Sequence, residues 1–266
     1  MTIRVVVAGA TGWTGSALVP AIVASADLAL AGAVARSAAG RDAGVANGLP
    51  AVGVIVSATL KEALASPSDV VVDYTHPAAV KDHVLLALSQ GRHAVIGTSG
   101  LTADDYTELD AAARRAGRGV IAAGNFSITA TLLARFAVEA ARHVADVEVI
   151  DYASAAKPDV PSGTAREIAE RLSAVRSPAT SVPAADVIGP REARGAGIGG
   201  PSVQVHSVRL PSFVLACEAI FGAPGERLTI RHDAGESAGP YVAGTLLAIR
   251  KVVDRVGLTR GLDSVM

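Results

Sequence analysis

Residues 3–18 read IRVVVAGATGWTGSAL, and the reading of this stretch decides the fold. IRVVVAG is a short apolar run that ends at glycine, the pattern of a buried strand. SALVPAIVAS (16–25) has helical spacing, with Pro20 a blemish inside it. Between strand and helix stand Gly9, Gly12 and Gly15. Glycines allow a tight turn and let the backbone approach a bound group, while the helix start offers free N–H groups and the positive end of its dipole. A glycine triplet alone says little. Set between a first strand and a first helix, it points to a pyrophosphate and so to a dinucleotide.

Working outward, strands and helices alternate. LALAGAV (28–34), DVVVDYT (69–75), HAVIGT (93–98) and GVIAAGNFS (119–127) read as strands. Helices begin at Pro77 and at Thr102, the latter an N-cap with acids in the first turn that follows. This alternation predicts a doubly wound, mainly parallel α/β sheet with helices on both faces. From residue 128 the pattern changes. A helix over 128–143 leads to a strand over 146–152, a turn YASAAKPDVPSGTA (152–165) and a helix over 165–175. An excursion rich in Pro, Gly and Ala follows over 176–202. Strand-like runs at 202–210, 212–222 and 227–234 are joined by short links, which predicts an antiparallel sheet. A helix over 241–256 comes last. We therefore expect a dinucleotide-binding domain over 1–127, a second α+β domain with a mainly antiparallel sheet over 128–239, and a last helix (about 240–266) that returns to the first domain.

Composition narrows the function classes. Half of the 266 residues are apolar and 18% are charged, so the chain is globular. A net charge of −1 gives no electrostatic footprint for nucleic acid or an acidic membrane. The single cysteine, Cys217, excludes an internal disulfide and reads as a small buried hydrophobe. No uncharged apolar run is long enough to span a bilayer, and the N-terminus lacks a signal-peptide pattern, so a cytoplasmic protein is expected. The six histidines show no metal-ligand spacing and no cysteine partner, so no metal site is expected. His206 and His232 fall in strands and read as interface or core residues.

The end of the second strand reads GAVARSAAGRD. An NAD site carries an acid there for the ribose 2′-hydroxyl. Here Ala35 stands in that place, followed by Arg36 and Ser37. A guanidinium and a hydroxyl suit a 2′-phosphate, so NADPH is expected, with NADH the alternative. IGTSG (96–100) and AGNFS (123–127) sit at strand ends, where open α/β sheets bind ligands.

AGATGWTG, VDYTHP, VIGTSG, GNFS and KPDVPSGTA occur in an order and spacing that resembles the 4-hydroxy-tetrahydrodipicolinate reductase (dihydrodipicolinate reductase) family, over nearly the whole chain. The resemblance implies a Rossmann domain, a central substrate-binding domain that builds a homotetramer, and NAD(P)H-dependent reduction of a small carboxylate in lysine and diaminopimelate biosynthesis. Carried over by position, Gly9, Ala10, Thr11, Gly12, Trp13 and Thr14, with Gly15 completing the triplet, are similar to the pyrophosphate turn, and Arg36 to the arginine for a 2′-phosphate. Gly97, Thr98 and Ser99 resemble one nicotinamide-side loop; Ala123, Gly124, Asn125 and Phe126 resemble the other. Ser162, Gly163 and Thr164 resemble the substrate-carboxylate turn, and Lys157 the catalytic lysine.

The departure lies just before that lysine. The family pattern is E-x-H-H-x-x-K; this chain reads Asp151-Tyr152-Ala153-Ser154-Ala155-Ala156-Lys157. Ala153 replaces the proposed general-acid histidine, and Ser154 a second, substrate-contacting one. A methyl group moves no proton, and general acid catalysis contributes about 10²–10⁴-fold. Lys157 is the favoured replacement, with Tyr152, Ser154, a bound water and Tyr74 as further candidates; His76 reads as a turn residue. The first expectation is therefore a reductase of a cyclic imine-type or unsaturated carboxylate with a shifted substrate or proton donor. The alternatives are the family reaction with another donor, and a catalytically weak dinucleotide-binding sensor.

Overall fold

The computed structural model describes residues 2–175, 182–199 and 203–266. They form two compact units: Met1–Ile128 together with Ala238–Met266, and Thr129–Ser237.

The first unit begins with β1 (Ile3–Ala8), α1 (Trp13–Val23) and β2 (Leu28–Val34). Short pieces follow: α2 (Ala43–Ala46), β3 (Val56–Ser57) and α3 (Leu60–Ala63). Then come β4 (Val70–Asp73), α4 (Pro77–Ser89), β5 (His93–Ile96), α5 (Ala103–Ala116) and β6 (Gly119–Ala122). Val5, Val6 and Val7 are all fully buried, because helices cover both faces of β1. Thr102 caps α5 as expected: its hydroxyl accepts from Asp105 N while the Asp105 carboxylate accepts from Thr102 N.

In the second unit α6 (Ile128–Ala141) leads to β7 (Asp146–Ala153) and α7 (Gly163–Val175). β8 (Ala196–Ile198), β9 (Val203–Arg209), β10 (Leu215–Ala223) and β11 (Glu226–Ala234) follow. The chain then re-enters the first unit as α8 (Gly239–Val252) and β12 (Gly257–Arg260).

The first sheet has seven strands in the order β12-β6-β5-β4-β1-β2-β3, all parallel. Its order reverses between β1 and β4, which is where sheets of this kind bind ligands. The second sheet has the order β11-β10-β7-β9-β8. Three of its four pairings are antiparallel, and β7 lies parallel to β9. Alternate residues of β7 are buried, among them Val147, Val149, Asp151 and Ala153. The two aliphatic ones join Phe221, Leu133 and Leu172 in an apolar core.

The runs 202–210 and 212–222 do not pair with each other. β7 lies between them, and their short link crosses its end, held by Leu210 N to Ala153 O at 3.1 Å and Ser154 N to Val214 O at 3.3 Å. The excursion over 176–202 contains β8, which pairs with β9, while 176–181 and 200–202 lie outside the described residues. β12 was not anticipated at all, nor was β3.

Candidate active site

The turn after β1 is built by close approach. Gly9 has φ +83°, and a Cβ there would sit 2.1 Å from the Tyr74 carbonyl oxygen. A Cβ on Gly15 would lie 2.0 Å from the Gly9 oxygen. Both positions thus exclude a side chain, and α1 presses directly on the turn. Gly12 is the N-cap of α1; it supplies no side-chain oxygen, and the first turn holds no acid. The positive end of the helix is therefore left without an internal counter-charge. Ala10 is fully buried, Thr11 and Thr14 are half-buried, and Trp13 is exposed with its ring edge on Tyr241 at 5.5 Å between centroids. Arg36 and Ser37 form an exposed 3-10 turn straight after β2. This turn fits a dinucleotide: a cradle that a Cβ would fill, an uncapped helix start, and an exposed guanidinium one strand away.

The loops after β4, β5 and β6 are tied together. Tyr74 is half-buried, and its hydroxyl lies 2.6 Å from Thr245 Oγ1, whose own proton goes to Tyr241 O at 2.8 Å. Tyr74 is therefore the donor of that bond, and burial raises its pKa above the ordinary phenol value. This removes Tyr74 from the proton-donor candidates. Its ring covers Gly97, where a Cβ would fall 2.0 Å from the ring, and it meets Phe126 edge-on at 6.1 Å. Phe126 is only 1% exposed, so its ring serves packing. Asn125 Oδ1 accepts from Ser127 N at 2.8 Å, which shapes that loop, while Ala123 is half-buried and Gly124 exposed. The Thr98 hydroxyl is committed to Asp73 Oδ1 at 2.7 Å, whereas Ser99 is exposed. His76 caps α4, its Nδ1 accepting from Ala78 N, as a turn residue should.

In the second unit the turn after β7 enters α7 through Ser162. Its hydroxyl donates to Asp151 Oδ1 at 2.6 Å and accepts from Ala165 N at 3.3 Å; its N–H donates to Asp151 Oδ2 at 2.8 Å. The Ser162 hydroxyl expected at the substrate is thus engaged inside the protein. Asp151 is 1% exposed and receives Arg209 Nη2 at 2.7 Å. The same nitrogen donates to Asp159 O at 2.8 Å, which pins the turn to β7 and β9. Lys157 Nζ lies 2.7 Å from Asp159 Oδ1 and is partly exposed. Ser154 is half-buried, and its hydroxyl accepts from Ala156 N at 3.3 Å. Ala153 is fully buried, at the point where the β9–β10 link crosses. The Tyr152 hydroxyl donates to Glu218 Oε1 at 2.8 Å, and burial followed by Glu218 raises its pKa. Of the donors considered for this turn, Lys157 alone is a partly exposed ammonium. Sequence reasoning missed Asp151 and Arg209; their signal was an acid and an arginine in otherwise alternating strands.

Cys217 is buried as expected, which pushes its thiol up to about 12. Among the described residues no group of three or more His, Cys, Asp or Glu could hold a metal ion. No helix among them is long and apolar enough to cross a membrane.

The model of the family described as "Dihydrodipicolinate reductase, N-terminus" matches residues 3–126, and that described as "Dihydrodipicolinate reductase, C-terminus" matches residues 129–266. The chain belongs to the dihydrodipicolinate reductase family. As a member it is an NAD(P)H-dependent oxidoreductase. It is 42% identical to the 4-hydroxy-tetrahydrodipicolinate reductase of Moorella thermoacetica, with 100% of this chain and 98% of that one covered. It is 40% identical to the enzyme of the same name from Synechococcus elongatus, at 99% and 98% coverage. Among solved structures, the dipicolinate-bound dihydrodipicolinate reductase from Paenisporosarcina sp. TG-14 matches over 100% of both chains, with 30% identity and a TM-score of 0.81. GenD2 from gentamicin A biosynthesis, solved with NAD, shares the fold at 16% identity, with 99% of this chain and 90% of that one covered and a TM-score of 0.68. Both of the reductases at 40% identity or more carry the same substrate in their names.

Proposed function

We propose that this chain is a 4-hydroxy-tetrahydrodipicolinate reductase of lysine and diaminopimelate biosynthesis, using NADPH and a proton donor other than histidine. The observation that carries the reading is 42% identity over the full length to a reductase of that name, together with an intact Lys157 and Ser162-Gly163-Thr164 turn. It moves the shifted-substrate expectation into second place, and the departure at Ala153 and Ser154 becomes a change of donor within one reaction.

The Gly9–Gly15 turn holds the pyrophosphate on the start of α1, and Arg36 meets the 2′-phosphate. Gly97, Thr98 and Ser99, with Ala123, Gly124, Asn125 and Phe126, offer backbone to the nicotinamide end. When bound, the nicotinamide supplies the hydride. Gly163 and Thr164 present backbone N–H groups at the start of α7 to a substrate carboxylate. Lys157 exchanges Asp159 for the substrate's second charge and gives the proton. We further infer a homotetramer working in the cytoplasm.

Turnover of 4-hydroxy-tetrahydrodipicolinate, followed by NADPH absorbance, tests this. Wild type should turn over, and Lys157→Met should lower kcat by about 100-fold or more. Wild type that oxidises NADPH with other cyclic imino acids but not with this substrate restores the shifted-substrate reading. Binding of NADPH with no turnover on any of them supports the sensor.

A further inference from the structure

Asp73, the last residue of β4, is 1% exposed, yet it is a carboxylate. Such a group is costly to bury unless its oxygens are fully satisfied. Here they are. Oδ1 accepts from Thr75 N at 3.0 Å, Thr75 Oγ1 at 2.7 Å and Thr98 Oγ1 at 2.7 Å. Oδ2 faces His83 Nδ1 of α4 at 2.7 Å. An ionised carboxylate only accepts, so Nδ1 carries the proton. Thr98 Oγ1 also accepts from Thr75 N at 2.8 Å, closing a ring of bonds among Asp73, Thr75 and Thr98.

The arrangement joins three elements through one side chain: the turn after β4, the loop after β5, and α4. Backbone bonds such as Gly97 N to Asp73 O at 2.9 Å already hold the strand ends in register. The carboxylate adds something else. It fixes the side-chain rotamers and the crossing point of two loops at the sheet's ligand-binding edge, beside the Gly9 turn that packs on Tyr74 O. No bond of Asp73 reaches α1 or the turn after β2, where the pyrophosphate and 2′-phosphate are expected.

We infer that Asp73, held by His83, is a positioning residue for the nicotinamide end of the dinucleotide, acting through Thr75 and Thr98. The inference rests on the cofactor reading above. It predicts that the two ends of the cofactor respond differently to the same substitution. Asp73→Asn keeps the shape but removes the charge, and its amide N–H can meet His83 Nδ1 only if the ring moves its proton to Nε2, so the charge-assisted bonds to Thr75, Thr98 and His83 are all weakened. His83→Leu removes the donor behind Oδ2. His83→Asn places an amide N–H near the former Nδ1 and should restore it.

The test uses the full chain, whose only tryptophan, Trp13, lies in the glycine turn and reports binding by fluorescence. NADPH is titrated alongside 2′-phospho-ADP-ribose, which lacks the nicotinamide. Asp73→Asn and His83→Leu should weaken NADPH by about tenfold or more and leave 2′-phospho-ADP-ribose within about twofold of wild type. His83→Asn should bind NADPH as wild type does. Equal losses for both ligands, or no loss for either, overturn the inference. If Asp73→Asn does not fold, the His83 pair decides alone by the same criterion. Wild type that binds neither ligand overturns the cofactor reading and, with it, this inference.

Discussion

Two helices begin at turns that the sequence marks for anions, and they are built in opposite ways. α1 starts bare: Gly12 gives its first turn no oxygen, and close backbone approach at Gly9 and Gly15 does the shaping. α7 starts wired: Ser162 caps it, Asp151 holds Ser162, and Arg209 holds Asp151. A bare start keeps its dipole for a ligand and asks little of the fold around it. A wired start spends side chains on the turn's own geometry and makes that geometry part of the protein's stability. The geometry of the turn is therefore coupled weakly to side-chain bonds elsewhere in one unit and strongly in the other.

The largest break in this contrast is Arg209→Met. It leaves the buried Asp151 carboxylate without its cation, at a cost of about 3–5 kcal/mol, read as a lower urea midpoint. The next closes α1. Gly12→Asp places a carboxylate where the pyrophosphate is expected and caps the first turn. NADPH should bind about 100-fold more weakly, by isothermal calorimetry, while the capping gain in thermal stability is offset by a Cβ 3.2 Å from Gly9 O. Thr102→Ala is the control on a helix that caps itself: it should lose about 1 kcal/mol of stability and leave NADPH affinity unchanged in the same titration.

The smallest effect is one the two units share. Burial lowers the pKa of His93 in the first unit and of His232 in the second below 6.5. Each fold thus prefers the neutral ring, and the unfolded chain takes up more protons in acid. Their contribution is fully present above about pH 6.5 and is lost as the pH falls through the lowered values. A melting temperature that declines from pH 7 to pH 5, and declines less in His232→Asn, bears this out.

The bare start was legible in the sequence because it is local: three glycines between a strand and a helix. So was the α/β alternation of the first unit, since strands buried on both faces read as unbroken apolar runs. What was hidden is long-range. β12 has only four residues, GLTR, and is a strand because β6 offers an open edge. The link between β9 and β10 is short enough for a hairpin, yet it steps over β7, and nothing local says so. Asp151 pairs with Arg209 across 58 positions, so the wiring of α7 appears only once β9 lies beside β7. Lys157 and its turn were readable; the Ser162 hydroxyl was assigned to substrate because the carboxylate that claims it is eleven residues earlier.

The return of α8 and β12 to the first sheet has a temporal meaning. Residues 129–237 of the second unit are consecutive, so a growing chain holds all of that unit's sequence before the first unit has its last strand. Until residue 260 is made, β6 is an unpaired sheet edge, and Phe126 lacks the helix whose Gly244 lies against its carbonyl. The unit whose first strands are made earliest is thus completed after the other, and until then its β6 edge is open to pairing with another chain.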